Sequence, residues 1–290
     1  MSAEQHHSLE KDVAPAAPAP QAATGPNGNA PEEHHTRFGY GPLSHVNPQE
    51  AVLRPFGGEF QPGLYKSVET RKFANPAPLG LSAFALTTFV LSCINMGARD
   101  ITAPNIVIAL AFGYGGLVQL LAGMWEMAVG NTFGATALSS YGGFWIAFAI
   151  VLTPGGFNIE GNLIDIDDGS HAMFYNSFGL FLMGWFIFTT ILLFCTLRST
   201  VAFFLLFLFL DLAFLLLGVG YIQRDSQGAP NPPVIKAGGF FGLLAAFAAW
   251  YNALAGIADS SNSFFIIPVA HFPWSPTGRA RRGKTERETV

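Results

Sequence analysis

Asn75-Pro76-Ala77-Pro78-Leu79-Gly80-Leu81-Ser82-Ala83-Phe84 is where a polar chain turns apolar. Up to residue 72 the sequence is polar, Pro/Ala-rich and charged. Beyond the stretch, apolar segments alternate with short polar gaps as far as Ile257. The first turn of a helix leaves its N–H groups without intrahelical partners, so a proline loses nothing there. Pro76 and Pro78 therefore suit a helix start, and Asn75 can cap it. The stretch predicts a helix that begins at a polar–apolar boundary.

Composition extends that reading to the whole chain. Of 290 residues, 50% are hydrophobic and only 12% are charged, against roughly 25% charged in soluble domains. Of the 15 Lys and Arg and the 19 Asp and Glu, only twelve lie between Phe73 and Ile257. The 28 Phe residues cluster in runs such as Phe203-Phe204-Leu205-Leu206-Phe207. These facts mark an integral membrane protein whose first partner is the lipid bilayer. A net charge of −4 argues against a nucleic-acid partner. Cys93 and Cys195 fall in different apolar segments and read as packed thiols rather than a disulfide.

A spanning helix needs about 20 mostly apolar residues. Six stretches qualify: 77–97, 106–127, 132–152, 173–195, 200–221 and 238–257. The expected fold is all-α, a bundle of six transmembrane helices behind a disordered N-terminal tail. The expected division is a cytoplasmic tail over 1–72, the membrane domain over 73–258, and a cytoplasmic C-terminal tail over 259–290. The third span opens on the small and polar run Asn131-Thr132-Phe133-Gly134-Ala135-Thr136, which must be sheltered by protein. Basic residues set the orientation. Lys66, Arg71, Lys72 and Arg198 fall on one side, joined by Arg279, Arg281, Arg282 and Lys284; Arg99, Arg224 and Lys236 fall on the other. Both termini are therefore expected in the cytoplasm. The first 30 residues have no apolar run of the kind a signal peptide carries.

The residues with chemistry to offer are polar ones at helical spacing inside the apolar spans. Gly80, Phe84, Thr88, Leu91 and Asn95 share a face of the first span. Gly116, Gln119, Gly123 and Glu126 share one on the second, and Gly134, Leu138, Tyr141 and Trp145 on the third. A polar group in hydrocarbon is costly, so these faces point at a neighbour or a water path. Glycine stripes are commonly packing surfaces; Gln119 and Glu126 favour the path. The only charged residues inside the predicted spans are Glu126 and Asp211. A protonatable acid beside a path suits proton-coupled anion uptake, whereas an Asp211 bonded to a neighbouring helix would serve structure; both readings stand. No basic side chain lies in the predicted spans, so a buried salt bridge to an anion is not expected. All seven His lie outside them, and the sequence carries no metal, cofactor or nucleophile–base pattern, which argues against an enzyme.

The opening ten residues also resemble the diagnostic segment of the acetate uptake transporter family, which includes bacterial succinate–acetate permeases and fungal acetate and ammonium permeases. Asn75, Pro76, Pro78 and Gly80 carry that likeness. Similar segments recur in order: Gly115-Gly116-Leu117-Val118-Gln119, Trp125-Glu126, Gly130-Asn131-Thr132-Phe133-Gly134 and Ser140-Tyr141-Gly142-Gly143-Phe144-Trp145. The resemblance implies a homo-hexamer with a pathway in each protomer. It also implies an apolar constriction of a Phe, a Tyr and a Leu, matched by Phe84, Tyr141 and Leu210, with Phe209 and Asp211 as the alternative registers of the last. Gln119, Asn131, Thr132 and the Tyr141 hydroxyl are then the expected donors to a carboxylate, with Thr88 on the same path. The long polar tail and the run from Ala83 to Leu91 resemble the fungal members.

The expectation is a plasma-membrane symporter of acetate and similar monocarboxylates, coupled to protons through Glu126 or Asp211 and needing no cofactor. Ammonia or ammonium export is the rival within transport. A membrane sensor acting through its tails is the rival outside it.

Overall fold

The computed structural model describes residues 74–280 except Thr102 and Ser260. The predicted tail over 1–72 lies outside the described residues. Within them, α1 covers Ala77–Asn95, α2 Asn105–Phe112 and α3 Gln119–Ala128. A π-helical turn, Gly113–Val118, joins α2 to α3 as one continuous span. Then follow α4 (Thr132–Leu152), α5 (Ile159–Ile166), α6 (Ala172–Thr196), α7 (Val201–Ile222) and α8 (Pro232–Ile257). Six helical stretches are thus long and apolar enough to cross a bilayer; α5 is a short helix between the third and fourth.

The first helix starts where the prolines predict. Pro76 occupies the N-cap position and Pro78 the first turn. Asn75 Oδ1 accepts the Ala77 N–H at 3.1 Å, so the asparagine satisfies one of the orphan donors. The third span is secured in the same way: Asn131 Oδ1 accepts the Gly134 N–H at 2.9 Å.

The sixth span departs from the predicted boundary. It opens at Pro232, not residue 238. The apolar pattern starts late because the first turn is Pro-Pro-Val-Ile-Lys; Pro232 and Pro233 fit that turn, where no N–H is needed. The shift brings Lys236 into the helix, so a basic side chain does lie in a span after all.

The spans close into a ring of neighbours. α8 packs along α1 and α7, α7 along α6, and α1 along the α2–α3 span, which in turn packs on α4. α4 meets α6 and α7 through side chains instead of close backbone approach. Phe144 faces Phe181 and Trp185 of α6, and Phe133 faces Phe203 and Phe207 of α7. Lipid tails are as apolar as these rings, so dispersion contacts and ring geometry hold the bundle more than water exclusion does. Each favourable ring pair adds about 0.5–1.5 kcal/mol. Glycine does the opposite job between α3 and α4. A Cβ on Gly142 would stand 2.7 Å from the Leu120 nitrogen, so only glycine permits that approach.

After α8 the chain folds back on the α6–α7 connection. The Val201 N–H donates to the Ala270 carbonyl at 2.6 Å, Thr200 pairs with His271, and Trp274 Nε1 donates to the Leu197 carbonyl at 2.8 Å. Ile267 and Val269 are buried against Ala255 and Ala258. The turn leading there is knotted by Asp259, which accepts from the Ser261 hydroxyl and from the N–H groups of Ser261 and Asn262. The Ser261 side chain, then these backbone bonds, hold the Asp259 carboxyl below the usual carboxylate range. Cys93 and Cys195 are both free thiols.

Candidate functional site

Among the described residues, a smaller and a larger cavity within the bundle share two side chains. The smaller, about 20 Å³, is lined by residues that include Leu81, Gln119, Gly134, Leu138 and Tyr141. It lies toward the N-terminal ends of α1 and α4. The larger, about 530 Å³, is lined by Thr88, Leu91, Asn95, Trp145 and Lys236, among others, toward the C-terminal end of α1. Phe84 and Leu210 line both, so they form the partition between them.

The partition is built by three helices. Phe84, Tyr141 and Leu210 are 4%, 3% and 5% exposed, on α1, α4 and α7. The Phe84 and Tyr141 rings lie 5.9 Å apart, tilted by 50°. Tyr141 also stacks on Phe214 and meets Trp185 and Phe188. Its hydroxyl lies 2.9 Å from Thr189 Oγ1. A barrier of this kind offers no charge to a hydrated ion. It suits a small solute that sheds part of its water.

The family model of the GPR1/FUN34/yaaH family matches residues 56–274. The chain belongs to that family. Among curated relatives in the GPR1/FUN34/yaaH family, it is 86% identical to "Acetate permease A" of Emericella nidulans, over 100% of both chains. It is 47% identical to "Ammonia transport outward protein 2" of Saccharomyces cerevisiae, over 76% of this chain and 73% of that one. The solved structure of the bacterial acetate channel SatP matches it with a TM-score of 0.57 at 32% identity, covering 69% of this chain and 100% of that one.

Against that family background, the expected site residues sort by position. Phe84, Tyr141 and Gln119 gather at the small cavity, and Leu210 joins them, while Phe209 and Asp211 line neither cavity. Gln119 is fully buried, and neither atom of its amide has a partner. Thr88 lines the large cavity.

Other expected donors are occupied or turned away. Asn131 is fully buried, but its amide is used: Nδ2 donates to Glu126 Oε2 at 2.7 Å and Oδ1 accepts from Gly134. Thr132, beside it on α4, is exposed and lines neither cavity. Helix geometry explains this, because adjacent residues point about 100° apart. Glu126 sits behind Gly134, where an added Cβ would come within 2.9 Å of its Oε2. Asp211 turns toward α6, with Oδ1 2.8 Å from Thr190 Oγ1. Neither acid lines either of these two cavities. Among the described residues, no three His, Cys, Asp or Glu gather as metal ligands.

Sequence reasoning passed over three residues. Lys236 was hidden by the late apolar pattern of α8. Thr189 carries no periodic signal, since α6 is apolar on most sides. Trp145 was placed on the right face of α4, but its N–H was not counted as a donor.

Proposed function

We propose that this protein carries acetate and related short monocarboxylates across the plasma membrane, through a route within each protomer and in company with a proton. The observation that carries the reading is the pair of cavities inside a single chain, with Phe84 and Leu210 lining both. The small cavity admits roughly one water, so acetate passes when one of those side chains swings aside. Apolar walls suit the acetate methyl, and Gln119 offers its carboxylate an N–H donor. Likeness to a protein named for acetate over the full length supports this choice of substrate.

A co-moving proton answers an electrical problem. Moving one negative charge into a cell held negative inside costs about 2.3 kcal/mol per 100 mV; a proton cancels it. Glu126 and Asp211 are the acids available for relay, and a proton carried on the substrate itself is the other arrangement. In the proposed orientation both termini lie in the cytoplasm and the large cavity faces outward. Six protomers, each with its own route, form the proposed assembly.

Export of ammonia is a second reading, favoured by the likeness to the yeast outward ammonia transporter. Vesicles holding only this protein separate the two. Labelled acetate uptake with alkalinisation of the outer medium is the expected result. Ammonium flux without acetate flux would replace it with the second reading, and no flux of either would point to a sensor.

A further inference from the structure

The small cavity has a second wall of rings, away from Phe84 and Leu210. Phe133, Phe203 and Phe207 line it and are buried. Their ring centroids lie 5.6 Å apart for Phe133 and Phe203, 5.4 Å for Phe133 and Phe207, and 5.1 Å for Phe203 and Phe207. Chain direction gives the depth of this triad. α4 and α7 belong to the third and fifth spans of a bundle whose spans alternate, so they run the same way. On both helices the small cavity takes the earlier residues and the large cavity the later ones. Phe133 stands eight residues before Tyr141, and Phe203 seven before Leu210, about 10–12 Å along a helix. The small cavity therefore lies between the partition and the triad, and the triad is at the end where α4 and α7 begin.

The turn that bears Phe203 is gripped from its other side by the chain that returns after α8. Thr200 pairs with His271, and the Val201 N–H donates to the Ala270 carbonyl at 2.6 Å. Ala202 packs on the cluster of Ile267 and Val269, and Phe204 meets Phe272 edge-on at 5.5 Å. Between these residues Phe203 turns into the cavity, with its N–H held by Thr200 Oγ1 at 3.2 Å. The returning strap is tied again at its two ends: the Tyr251 hydroxyl donates to the Pro268 carbonyl, and Trp274 Nε1 to the Leu197 carbonyl at 2.8 Å. Apart from the bridge to Thr200, residues 268–274 have no regular structure, so the strap can part from α7 at less cost than a span can move.

We propose that Phe133, Phe203 and Phe207 form a second barrier on the route, and that the strap over 268–274 keeps it shut by holding the first turn of α7. The inference rests on the route proposed above and adds a gate to it, at the face that the proposed orientation places in the cytoplasm. A solute leaves the small cavity when that turn shifts, and the strap's bonds set how often it does.

The test reads access to the small cavity in the intact protein in vesicles, not flux. Ala137→Cys places a thiol on the cavity wall, in a chain carrying Cys93→Ser and Cys195→Ser. A membrane-impermeant, negatively charged methanethiosulfonate is applied from the side where α7 begins. Val201→Pro removes the N–H given to Ala270 and suits the first position of α7, because that N–H has no partner inside the helix. Trp274→Phe removes the bond to Leu197 and keeps a ring. Each is expected to speed labelling several-fold to about tenfold, as loss of one neutral hydrogen bond allows. Val201→Ala keeps the N–H and is expected to label as slowly as the unaltered strap. Phe203→Ala opens the barrier itself, so adding Val201→Pro to it is expected to gain nothing further. Fast labelling with strap and rings unaltered would overturn the barrier, and so would slow labelling in Phe203→Ala. Slow labelling in both strap variants would overturn the strap's role, as would an equal rise when the reagent is applied from the opposite side. Wild-type vesicles without acetate flux would instead overturn the acetate reading and leave these rates as they are.

Discussion

Tyr141 Oη lies 2.9 Å from Thr189 Oγ1, across the gap between α4 and α6. Thr189 has one hydroxyl proton, and it goes to the Trp185 carbonyl 2.7 Å away. Tyr141 is therefore the donor of the pair, and its proton is not free to meet a substrate. Tyr141→Phe removes a bond worth about 0.5–1.5 kcal/mol and leaves the ring in the partition. Acetate uptake in that variant is expected within about threefold of wild type. Tyr141→Ala removes the ring, and the ratio of succinate to acetate uptake is expected to rise. Competition assays with the two labelled acids measure both effects.

Gln119 is fully buried at the small cavity, and both its amide atoms lack partners. An unpaired buried polar group costs about 1–3 kcal/mol, so stability does not explain its presence. Gln119→Leu is expected to melt at the same temperature as wild type or higher, while acetate uptake falls about tenfold or more. Thermal unfolding in detergent, set beside vesicle uptake, reads both. A fall in melting temperature matching the loss of uptake would assign Gln119 to the fold.

Gly142 and Gly143 are adjacent and have opposite surroundings. A Cβ on Gly142 would meet the Leu120 nitrogen at 2.7 Å and its Cα at 2.8 Å, whereas one on Gly143 would meet nothing within 4 Å. Backbone cannot yield as a side-chain tip can. Gly142→Ala is expected to force α3 from α4 and cost about 1–3 kcal/mol, seen as lower yield and earlier melting. Gly143→Ala is expected to behave as wild type.

Asp211 is 7% exposed, lines neither cavity and meets Thr190 at 2.8 Å. An asparagine can keep that bond. Asp211→Asn is expected to retain proton-coupled acetate uptake, whereas Asp211→Ala is expected to lose stability by about 0.5–1.5 kcal/mol, because the bond between α6 and α7 is lost while Thr190 keeps the Phe186 carbonyl. Loss of external alkalinisation in Asp211→Asn, with acetate flux intact, would make Asp211 the proton carrier.

The helices and their order were legible from Asn75 onward, because bilayer thickness fixes span length and an apolar run of that length admits few other readings. The faces of α1, α2–α3 and α4 were legible too. Phe84, Thr88, Leu91 and Asn95 line a cavity as their spacing predicts, since a polar group turns from lipid wherever the helix allows. The start of α8 was not legible, because Pro232 and Pro233 look like loop to an apolar pattern and are sound first-turn residues. The docking of Ile267 and Val269 was hidden for a related reason: a short segment without periodicity shows its partner only once folded.

By itself the sequence determined that this chain lies in a membrane, crosses it six times and presents amides, hydroxyls and rings inward. Only the tertiary structure decided which of those groups remain free. Asn131 and Tyr141 are bonded to residues 5 and 48 positions away, while the buried polar atoms of Gln119, Thr88 and Trp145 are left without a partner in the chain. Periodicity gives the direction of a side chain around its own helix. Whether a donor there meets an acceptor depends on what the neighbouring helices bring to the same depth, and no local pattern records that.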